Sequence, residues 1–491
     1  MARIHNLGEV IGRDRPADAA LLIEILDGRD RTIPAGAFHG AADALARGLL
    51  RRGLKRGDAV GIYAANRAEY LIAFAGIMRA GMVAVPVNVK LPRDTVAHIV
   101  GDASLKLILT DGENAAGGAR AQLARIDDAA SWRSLLDPGP FTSPEMGDDE
   151  VAVILYTSGS TGRPKGVPLT HGGYVWVTEV LVRSGPKLAG KRALIAAPLF
   201  HMNGLLQSLL TMVAGGTVVL LGKFTAKAYL EAAARHKCEL ITSVPTMLAL
   251  AMRETETLAR LDHSHVEMIV TGSAPSTEAL FDKVAQAFPN GRVMNGWGTT
   301  ESSPVAFGPH PDGKPRPTLS IGYPMPEAEW RLDGGDDPNT GVLWVRNKAI
   351  MSGYLNLPAE TAKRIKNGWY DTGDIMRRDV DGFFYFVGRA DDMFVCGGEN
   401  IFPIEVETLL ERHPAVHQAY VMPFEHELKG EVPYAFVVLR AGAAAGEEDL
   451  KQFALANGPA YQHPRRVFFL DQLPLAGTNK IDRAALRAWV T

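Results

Sequence analysis

Short apolar runs alternate with helical patterns through most of this chain, and no other feature of the sequence restricts the fold as strongly. The runs are three to six residues long and are typical of buried strands. One helical pattern, residues 276–288, places Leu280, Val284 and Phe288 on a single face. Strands that alternate with helices predict an α/β fold with largely parallel sheets. The predicted strands are residues 59–63, 82–86, 107–109, 193–198, 217–221, 240–244 and 266–270.

The chain has 491 residues, more than one hydrophobic core normally accommodates, so we expect two or more domains. From about residue 339 the pattern changes to short strands and turns. Asp381-Gly382 stands directly before the apolar run at residues 383–387 and is typical of a hairpin turn. Residues 115–149 and 308–317 are expected to be surface connections.

Composition and charge are those of an ordinary globular enzyme, with 46% hydrophobic and 22% charged residues. A net charge of −3 gives no basis for expecting a nucleic-acid partner. The two cysteines, Cys238 and Cys396, are too few for a disulfide scaffold or a structural zinc site, and they suit a reducing compartment. Because the N-terminus also has no signal-peptide core, we expect a cytoplasmic protein.

One stretch, residues 202–222, contains no Asp, Glu, Lys or Arg and is long enough to span a bilayer. Gly215-Gly216 divides it into a helix-like half and a β-branched half. The pattern therefore favours a buried helix, turn and strand over stable membrane insertion.

A loop rich in glycine and hydroxyl residues follows the apolar run at residues 151–156. Its glycines let backbone N–H groups face an anion, its hydroxyls are neutral donors, and Lys165 adds a positive charge. The spacing is not that of a Walker A loop, because position 164 is proline. The sequence thus predicts a phosphate-binding loop of another kind. Its expected ligand-binding residues are Thr157, Ser158, Gly159, Ser160, Thr161, Gly162 and Lys165.

This loop resembles the signature loop of the adenylate-forming superfamily, which includes acyl-CoA synthetases, peptide-synthetase adenylation domains and firefly luciferase. Further motifs resemble those of the superfamily in the same order along the chain. They are Trp-Gly-Thr-Thr-Glu at residues 297–301, Tyr-Asp-Thr-Gly-Asp at 370–374, a domain junction at 388–407 and a C-terminal motif at 474–483. Gly-Gly-Glu-Asn-Ile at 397–401 and Asn-Lys at 479–480 look most like 4-chlorobenzoate-type acyl-CoA ligases.

The resemblance implies a large, multi-subdomain N-terminal domain and a small, mobile α+β C-terminal lid domain. We expect the N-terminal domain to span residues 1–388, the hinge residues 389–391 and the lid residues 392–491. Asp391 resembles the hinge residue about which the lid rotates. Lid helices are predicted at residues 405–411 and 449–456.

The resemblance also implies a reaction in two halves that uses ATP, Mg²⁺ and coenzyme A. A carboxylate attacks the α-phosphate of ATP to give an acyl-adenylate and pyrophosphate, and a thiol then displaces AMP. Since the first half brings an anion towards a polyanion, catalysis depends on charge neutralisation and alignment. Lys480 is expected between the substrate carboxylate and the α-phosphate, although Asn479 stands where the common motif has glycine. Thr300 and Glu301 are expected to hold phosphate and Mg²⁺.

Further residues are assigned to the nucleotide by the same resemblance. Trp297, where the superfamily usually has tyrosine, should stack on adenine. Asp374 should bind the ribose hydroxyls, and Arg389 should contact ribose or phosphate. The other expected ATP- and AMP-binding residues are Gly272, Ser273, Ala274, Pro275, Asn295, Gly298 and Thr299.

The expected acyl pocket begins at His201, which is also a candidate catalytic residue. Peptide-synthetase domains usually have Asp at this place to pair with an amino acid's ammonium group. Since a desolvated ammonium group would lack that partner here, amino acids are disfavoured. A compact acid with an aromatic ring or a hydroxyl fits better than a long saturated tail. The expected pocket residues are His201, Met202, Asn203, Gly296, Gly298, Ser302 and Ser303.

For coenzyme A, the resemblance implies that residues 396–398 line a pantetheine tunnel and that an aromatic face with cations receives the nucleotide. The expected CoA-binding residues are Cys396, Gly397, Gly398, Tyr461, His463 and Arg465.

These features together predict an AMP-forming ligase that joins a small aryl or short, hydroxylated carboxylic acid to CoA. Two alternatives stay open: a stand-alone adenylation enzyme that loads a carrier protein, and a medium-chain fatty acyl-CoA synthetase. A non-catalytic binding module is disfavoured, since Lys165, Glu301, Asp374 and Lys480 occur together. The sequence leaves the oligomeric state and the exact acid open.

Overall fold

Two mostly parallel sheets form the centre of the N-terminal domain, and their inner strands are the apolar runs. The computed structural model describes residues 4–112, 121–157, 163–335, 337–396, 399–475 and 481–490. After a short 3-10 helix (Leu7–Glu9), the first elements are β1 (Ala20–Leu26), β2 (Arg29–Pro34), α1 (Ala35–Arg51), β3 (Ala59–Tyr63), α2 (Ala68–Arg79), β4 (Val83–Pro86), α3 (Arg93–Asp102), β5 (Leu107–Thr110), β6 (Gln122–Arg125) and α4 (Ala129–Leu135).

The next part of the chain completes both sheets by continued alternation of strands and helices. Its elements are β7 (Val151–Thr157), β8 (Lys165–Thr170), α5 (His171–Ser184), β9 (Arg192–Ile195), α6 (Met202–Val213), β10 (Thr217–Leu221), α7 (Ala226–Arg235), β11 (Leu240–Ser243), α8 (Pro245–Ala251), α9 (Thr255–Arg260), β12 (Met268–Gly272), α10 (Glu278–Ala287) and β13 (Arg292–Gly296).

Each of the two sheets is parallel except at one edge. Over the described ranges, one sheet has the order β6-β5-β3-β4-β7-β8, and the other has the order β13-β12-β11-β9-β10-β1-β2. The antiparallel pairs are β7 with β8 and β1 with β2. The α/β fold with largely parallel sheets is therefore confirmed.

Asn66, in the connection from β3 to α2, joins the two sheets. Its side chain is 5% exposed, and its amide nitrogen donates to the carbonyl oxygens of Ala197 at 3.0 Å and Leu221 at 3.1 Å. Its amide oxygen accepts from the backbone N–H of Leu199 at 2.8 Å. One buried side chain thus satisfies backbone groups just beyond β9 and at the end of β10.

Antiparallel strands follow from residue 307, earlier than the change of pattern near residue 339. They are β14 (Phe307–Gly308), β15 (Tyr323–Pro324), β16 (Glu329–Asp333), β17 (Thr340–Arg346), β18 (Ile365–Lys366), β19 (Trp369–Arg378) and β20 (Phe384–Arg389), and the helix α11 (Pro358–Arg364) lies between β17 and β18. The predicted hairpin turn at Asp381-Gly382 is confirmed, since it connects the antiparallel pair β19 and β20. Asp379 closes this turn by accepting the N–H groups of Asp381 and Phe383.

A small C-terminal α+β domain has its own sheet and its own buried core. Its elements are β21 (Phe394–Cys396), β22 (Glu399–Ile401), α12 (Pro403–Glu411), β23 (Val416–His426), β24 (Gly430–Leu439), α13 (Glu447–Asn457), β25 (Arg466–Phe469) and α14 (Arg483–Ala488). Both predicted helices of this domain are confirmed, as α12 and α13.

The prediction of a surface connection over residues 115–149 is partly wrong, because β6 and α4 lie within it. The strand β6 pairs with β5 at the sheet edge and is mostly exposed, so it has no apolar run to mark it. After α4, the chain packs directly on α1, where a Cβ atom on Gly48 would lie 1.7 Å from the carbonyl oxygen of Leu135.

Residues 202–222 form α6 and β10, as predicted. Across the described ranges, none of the helices combines the length and apolar character that a membrane span requires.

The N-terminus is attached to the core through His171, the first residue of α5. Its Nδ1 accepts the backbone N–H of Leu7 at 3.0 Å, and its side chain is fully buried. Burial lowers the pKa of the imidazole to about 4. The folded protein therefore keeps this group neutral at a pH where the unfolded chain, with a pKa near 6.5, binds a proton. Its contribution to stability is complete above pH 6.5 and is lost as the pH falls towards 4.

We expect His171→Asn to reduce this loss, because the Asn amide oxygen can still accept the Leu7 N–H but does not titrate. Between about pH 7.5 and about pH 5, the wild type should lose roughly 1–2 kcal/mol more stability than the variant. Urea unfolding midpoints of both proteins at the two pH values measure this difference. Equal losses in both proteins would show that His171 does not contribute to acid sensitivity.

Candidate active site

The carboxyl ends of neighbouring parallel strands form the floor of the candidate site. The last residues of β12 and β13, Gly272 and Gly296, are partners in the sheet register. A Cβ atom on Gly272 would lie 2.5 Å from the carbonyl oxygen of Gly296, so a side chain at this position would clash. Ser273, Ala274 and Pro275 follow β12 and are exposed, as is Gly296. At Gly296, by contrast, an added Cβ atom would lie no closer than 3.5 Å to the carbonyl oxygen of Thr271, so the backbone there is open to a flat ligand.

The turn after β13 is held by its own hydroxyl groups. Thr299 Oγ1 accepts the backbone N–H of Ser302 at 3.1 Å, and Asn347 Nδ2 donates to the carbonyl oxygens of Ser302 and Val305 at 3.0 and 3.2 Å. Ser302 and Ser303 are fully buried, and their hydroxyls donate to backbone carbonyl groups. This scaffold holds Trp297, Thr300 and Glu301 at the sheet edge.

The Asp374 carboxylate connects this turn to the strand before the small domain. Its Oδ2 accepts the indole N–H of Trp297 at 2.8 Å, and its Oδ1 accepts from Arg389 at 2.6 Å. Burial opposes the charge of Arg389, but Asp374 outweighs it, so the pKa of the guanidinium rises. The Trp297 ring also packs edge-to-face on Phe307, with centroids 5.5 Å apart. The three residues assigned to adenine and ribose are therefore in direct contact.

Backbone geometry at Gly373 places Asp374 in this position. Gly373 has φ +67, and a Cβ atom there would lie 2.8 Å from the Arg364 guanidinium. The Thr372 hydroxyl accepts the backbone N–H of Asp374 at 3.0 Å and donates to the carbonyl oxygen of Leu343 at 2.7 Å. The Thr-Gly-Asp sequence is thus explained by local hydrogen bonding and by close packing.

Glu301 and Lys165 both contact Tyr354, which lies between them. The Tyr354 hydroxyl donates to Glu301 Oε1 at 3.0 Å, and the Lys165 ammonium lies 5.2 Å from the centroid of the Tyr354 ring. Burial and the neighbouring Glu301 carboxylate raise the pKa of Tyr354, which keeps its hydroxyl protonated. Lys165 also forms an ion pair with Glu360 at 2.7 Å.

The donor set at Glu301 fits a magnesium ion bound mainly through substrate. The described residues contain no group of three or more His, Cys, Asp or Glu side chains that could hold a metal alone. Mg²⁺ prefers oxygen ligands and is commonly bound by one or two carboxylates together with phosphate groups and water. Glu301, with Thr300 beside it, supplies the oxygen ligands for that arrangement.

On the acyl side, three of the predicted residues, His201, Met202 and Asn203, lie at the start of α6, and the others lie at or after the end of β13. His201 packs edge-to-face on Phe200, with ring centroids 4.8 Å apart, and Asn203 Nδ2 donates to Ser273 Oγ at 3.4 Å. Asn203 therefore joins the predicted acyl residues to the strand-end loop predicted to bind the nucleotide. Met202 is partly buried and packs against the main core.

At the predicted hinge, Asp391 accepts from Arg364 at 2.7 Å and lies 3.7 Å from Arg389. The next residue, Asp392, pairs with Arg483 on α14 at 2.5 Å. These two adjacent carboxylates thus form ion pairs with different domains.

The predicted CoA residues belong to the small domain. Cys396 is buried, and Tyr461 packs against the domain core. His463 Nδ1 lies 2.6 Å from an Arg465 guanidinium nitrogen, and the pKa of the imidazole is lowered by burial and by Arg465. In the described part of the chain, no hydrogen bond or ion pair joins Tyr461, His463 or Arg465 to the strand-end site.

Several predicted residues lie outside the described ranges. They are Ser158, Gly159, Ser160, Thr161 and Gly162 of the phosphate loop, Gly397 and Gly398 of the predicted tunnel, and Lys480. Conversely, Tyr354, Glu360 and Arg364 contact predicted site residues but were not identified from the sequence. No local pattern marks them, since Glu360 is 195 positions from its partner Lys165.

Comparison with known proteins covers both domains. The family model described as AMP-binding enzyme matches residues 12–355, and the model described as AMP-binding enzyme C-terminal domain matches residues 405–480. Feruloyl-CoA synthase of Amycolatopsis sp is 33% identical over 454 residues, which cover 90% of this chain and 91% of that protein. The 4-coumarate–CoA ligase of Vanilla planifolia is 33% identical over 479 residues, covering 90% of this chain and 85% of that protein.

A solved structure agrees over nearly the whole length. The o-succinylbenzoate CoA synthetase of Bacillus subtilis, in complex with its acyl-adenylate intermediate, matches with a TM-score of 0.84 and 28% sequence identity. The match covers 99% of this chain and 98% of that chain. Similar domains therefore occur in the same order in both proteins.

The contact between Trp297 and Asp374 leads to a test with AMP. Trp297→Phe retains an aromatic ring but removes the N–H group that orients the carboxylate. We expect the Kd for AMP to rise about three- to tenfold, because one hydrogen bond contributes roughly 0.5–1.5 kcal/mol. Isothermal titration calorimetry measures this change, with Trp489→Phe as the control because Trp489 is 61% exposed. An unchanged Kd in Trp297→Phe, or the same rise in the control, would contradict the assignment.

Proposed function

This chain belongs to the AMP-binding enzyme family, and on that premise we propose that it is an AMP-forming ligase joining a small aryl or short, hydroxylated acid to coenzyme A. The proposed reaction has two steps. A carboxylate oxygen of the acid attacks the α-phosphorus of ATP, and pyrophosphate leaves. The CoA thiol then attacks the acyl carbonyl carbon, loses its proton, and AMP leaves.

One connected set of contacts supports this proposal more than any single residue. It runs from Lys165 over the Tyr354 ring to Glu301. In the same loop as Glu301, Trp297 donates to Asp374 on β19, which in turn pairs with Arg389 on β20. A cation for polyphosphate, an oxygen ligand for Mg²⁺ and a carboxylate for ribose are therefore linked by contacts, although they come from three different sheets. This is the set of groups that nucleotidyl transfer requires, since its transition state is stabilised by alignment and charge.

The residues divide the work of the first step. Lys165 and the loop before it would bind the β- and γ-phosphates, and Asp374 would hold the ribose through two hydroxyl groups. Mg²⁺ at Glu301 and Thr300 would offset the negative charge of the phosphates. Lys480 would stabilise the charge that develops between the substrate carboxylate and the α-phosphate.

An aryl acid is the best-supported substrate. The predicted pocket residues include no Asp or Glu, so a substrate ammonium group would have no carboxylate partner. The relatives reported above are named for feruloyl, 4-coumarate and o-succinylbenzoate substrates, each of which contains an aromatic ring. The likeness to 4-chlorobenzoate-type ligases in particular stays a prediction. We expect hydroxycinnamates and substituted benzoates to be accepted before aliphatic acids.

For the second step, the small domain is proposed to rotate about Asp391. Rotation would move Lys480 out of the site and residues 396–398 into it. The same movement would bring Tyr461, His463 and Arg465 to the CoA nucleotide. The connection at residues 389–392 is anchored by side-chain ion pairs, which can break and re-form more readily than an apolar interface.

The substrate assignment is tested by pyrophosphate release with ATP and Mg²⁺, measured with and without CoA. The acids should include hydroxycinnamates, benzoates, short hydroxy acids and medium-chain fatty acids. We expect sustained turnover with aryl acids that requires CoA, because the adenylate stays bound until a thiol removes the acyl group.

Other results would favour the alternatives. Equal rates of pyrophosphate release with and without CoA would favour the loading of a carrier protein. A preference for medium-chain fatty acids would contradict the aryl assignment. The absence of pyrophosphate release with every acid would contradict the proposed activity.

The proposed role of Lys480 predicts an unequal effect on the two steps. Lys480→Ala should slow adenylate formation on the order of 10²–10³-fold, the usual scale for the loss of one charge-stabilising donor. Thioester formation from supplied acyl-adenylate should fall much less. Rapid-quench measurements of each step separate the two effects, with Lys227→Ala on the exposed face of α7 as the control. Equal losses in both steps would contradict a role confined to adenylation.

A further inference from the structure

Glu360 stands at the centre of a small charge cluster that includes Lys165 and Lys363. Its Oε2 accepts from the Lys165 ammonium at 2.7 Å, and the two side chains are 25% and 13% exposed. Lys363, one turn further along α11, also contacts the Glu360 carboxylate. Lys165, and then Lys363, lower the pKa of Glu360 to about 2, so the carboxylate is ionised at neutral pH.

The position of Glu360 is set by the helix that carries it. Thr361 Oγ1 accepts the backbone N–H of Tyr354 at 2.9 Å and donates to the carbonyl oxygen of Leu357 at 3.0 Å. This fastens α11 to the segment that carries Tyr354, whose ring lies beside Lys165. Glu360 is therefore held in place next to the ammonium.

We propose that Glu360 is a positioning residue that holds the Lys165 ammonium when no polyphosphate is bound and takes it back as pyrophosphate leaves. This inference rests on the proposed function, in which Lys165 binds the β- and γ-phosphates. Glu360 and the phosphates are both anions that seek the same partly buried ammonium, so they compete for it. Glu360 thereby weakens pyrophosphate binding and promotes product release.

Electrostatics gives the direction of the effect. A carboxylate near the phosphate site repels an incoming polyanion, and in a partly buried site this repulsion is larger than in water. Glutamine keeps the shape and an oxygen acceptor but removes the charge. Glu360→Gln should therefore tighten pyrophosphate binding, whereas a purely structural ion pair predicts lower thermal stability and no such gain.

The test is equilibrium titration of inorganic pyrophosphate with Mg²⁺, which requires no knowledge of the acid. We expect the Kd for pyrophosphate to fall about three- to tenfold in Glu360→Gln, with the gain reduced at high salt because charge interactions are screened. The Kd for AMP, which lacks the β- and γ-phosphates, should stay within about twofold. Glu329→Gln is a matched control, since Glu329 also pairs with a cation, Arg346, but on β16, where its side chain is 60% exposed.

Two further variants separate this inference from the proposed function. Lys165→Met should raise the Kd for pyrophosphate. When Glu360→Gln is added to Lys165→Met, the fall in Kd that it causes should be less than half of the fall that it causes in the wild-type background. If Lys165→Met binds pyrophosphate normally, Lys165 does not bind phosphate and both ideas fail. If Lys165→Met weakens binding but Glu360→Gln leaves it unchanged or weaker, the role of Glu360 alone is overturned. A full gain without Lys165 also overturns it, because the effect would not act through the ammonium.

Discussion

The ion pair and hydrogen bond at the Asp374 carboxylate connect the parts of the site that come from distant stretches of chain. Trp297 lies beyond β13, the last strand of a parallel sheet in chain order, while Arg389 ends the antiparallel strand β20 at the start of the predicted hinge. Since both donate to one 5% exposed carboxylate, the turn after β13 and the start of the predicted hinge share a single anchor. Asp374 therefore connects the predicted nucleotide site to the beginning of the small domain.

Each of three cations around the candidate site forms an ion pair with a carboxylate of the same chain. Glu360 pairs with Lys165, Asp374 with Arg389, and Asp391 with Arg364. Partly buried cations need such partners, because an uncompensated charge is costly to remove from water. Glu360 and Arg364 lie one turn apart on α11, so this short helix forms ion pairs with both Lys165 and Asp391, the residue of the predicted hinge.

Polar groups also mediate contact between the two domains away from the predicted hinge. Arg253 Nε donates to His417 Nε2 at 3.1 Å. Burial, together with Arg253 and other nearby cations, lowers the pKa of His417 to about 4, so the imidazole accepts as a neutral group at physiological pH. Such contacts re-form in water at little cost, which suits a domain that is proposed to change its orientation.

Local sequence pattern was sufficient for the α/β class, the hairpin at Asp381-Gly382, both helices of the small domain and the identity of the family. These features depend on short-range periodicity, turn chemistry and ordered motifs, all of which are written in neighbouring residues. The edge strand β6 was missed because an exposed strand carries no apolar run. Tertiary structure alone decided which polar side chains meet: Trp297 and Asp374 are 77 positions apart, and Lys165 and Glu360 are 195 apart. Such pairs follow from how sheets and loops pack, and no local periodicity encodes them.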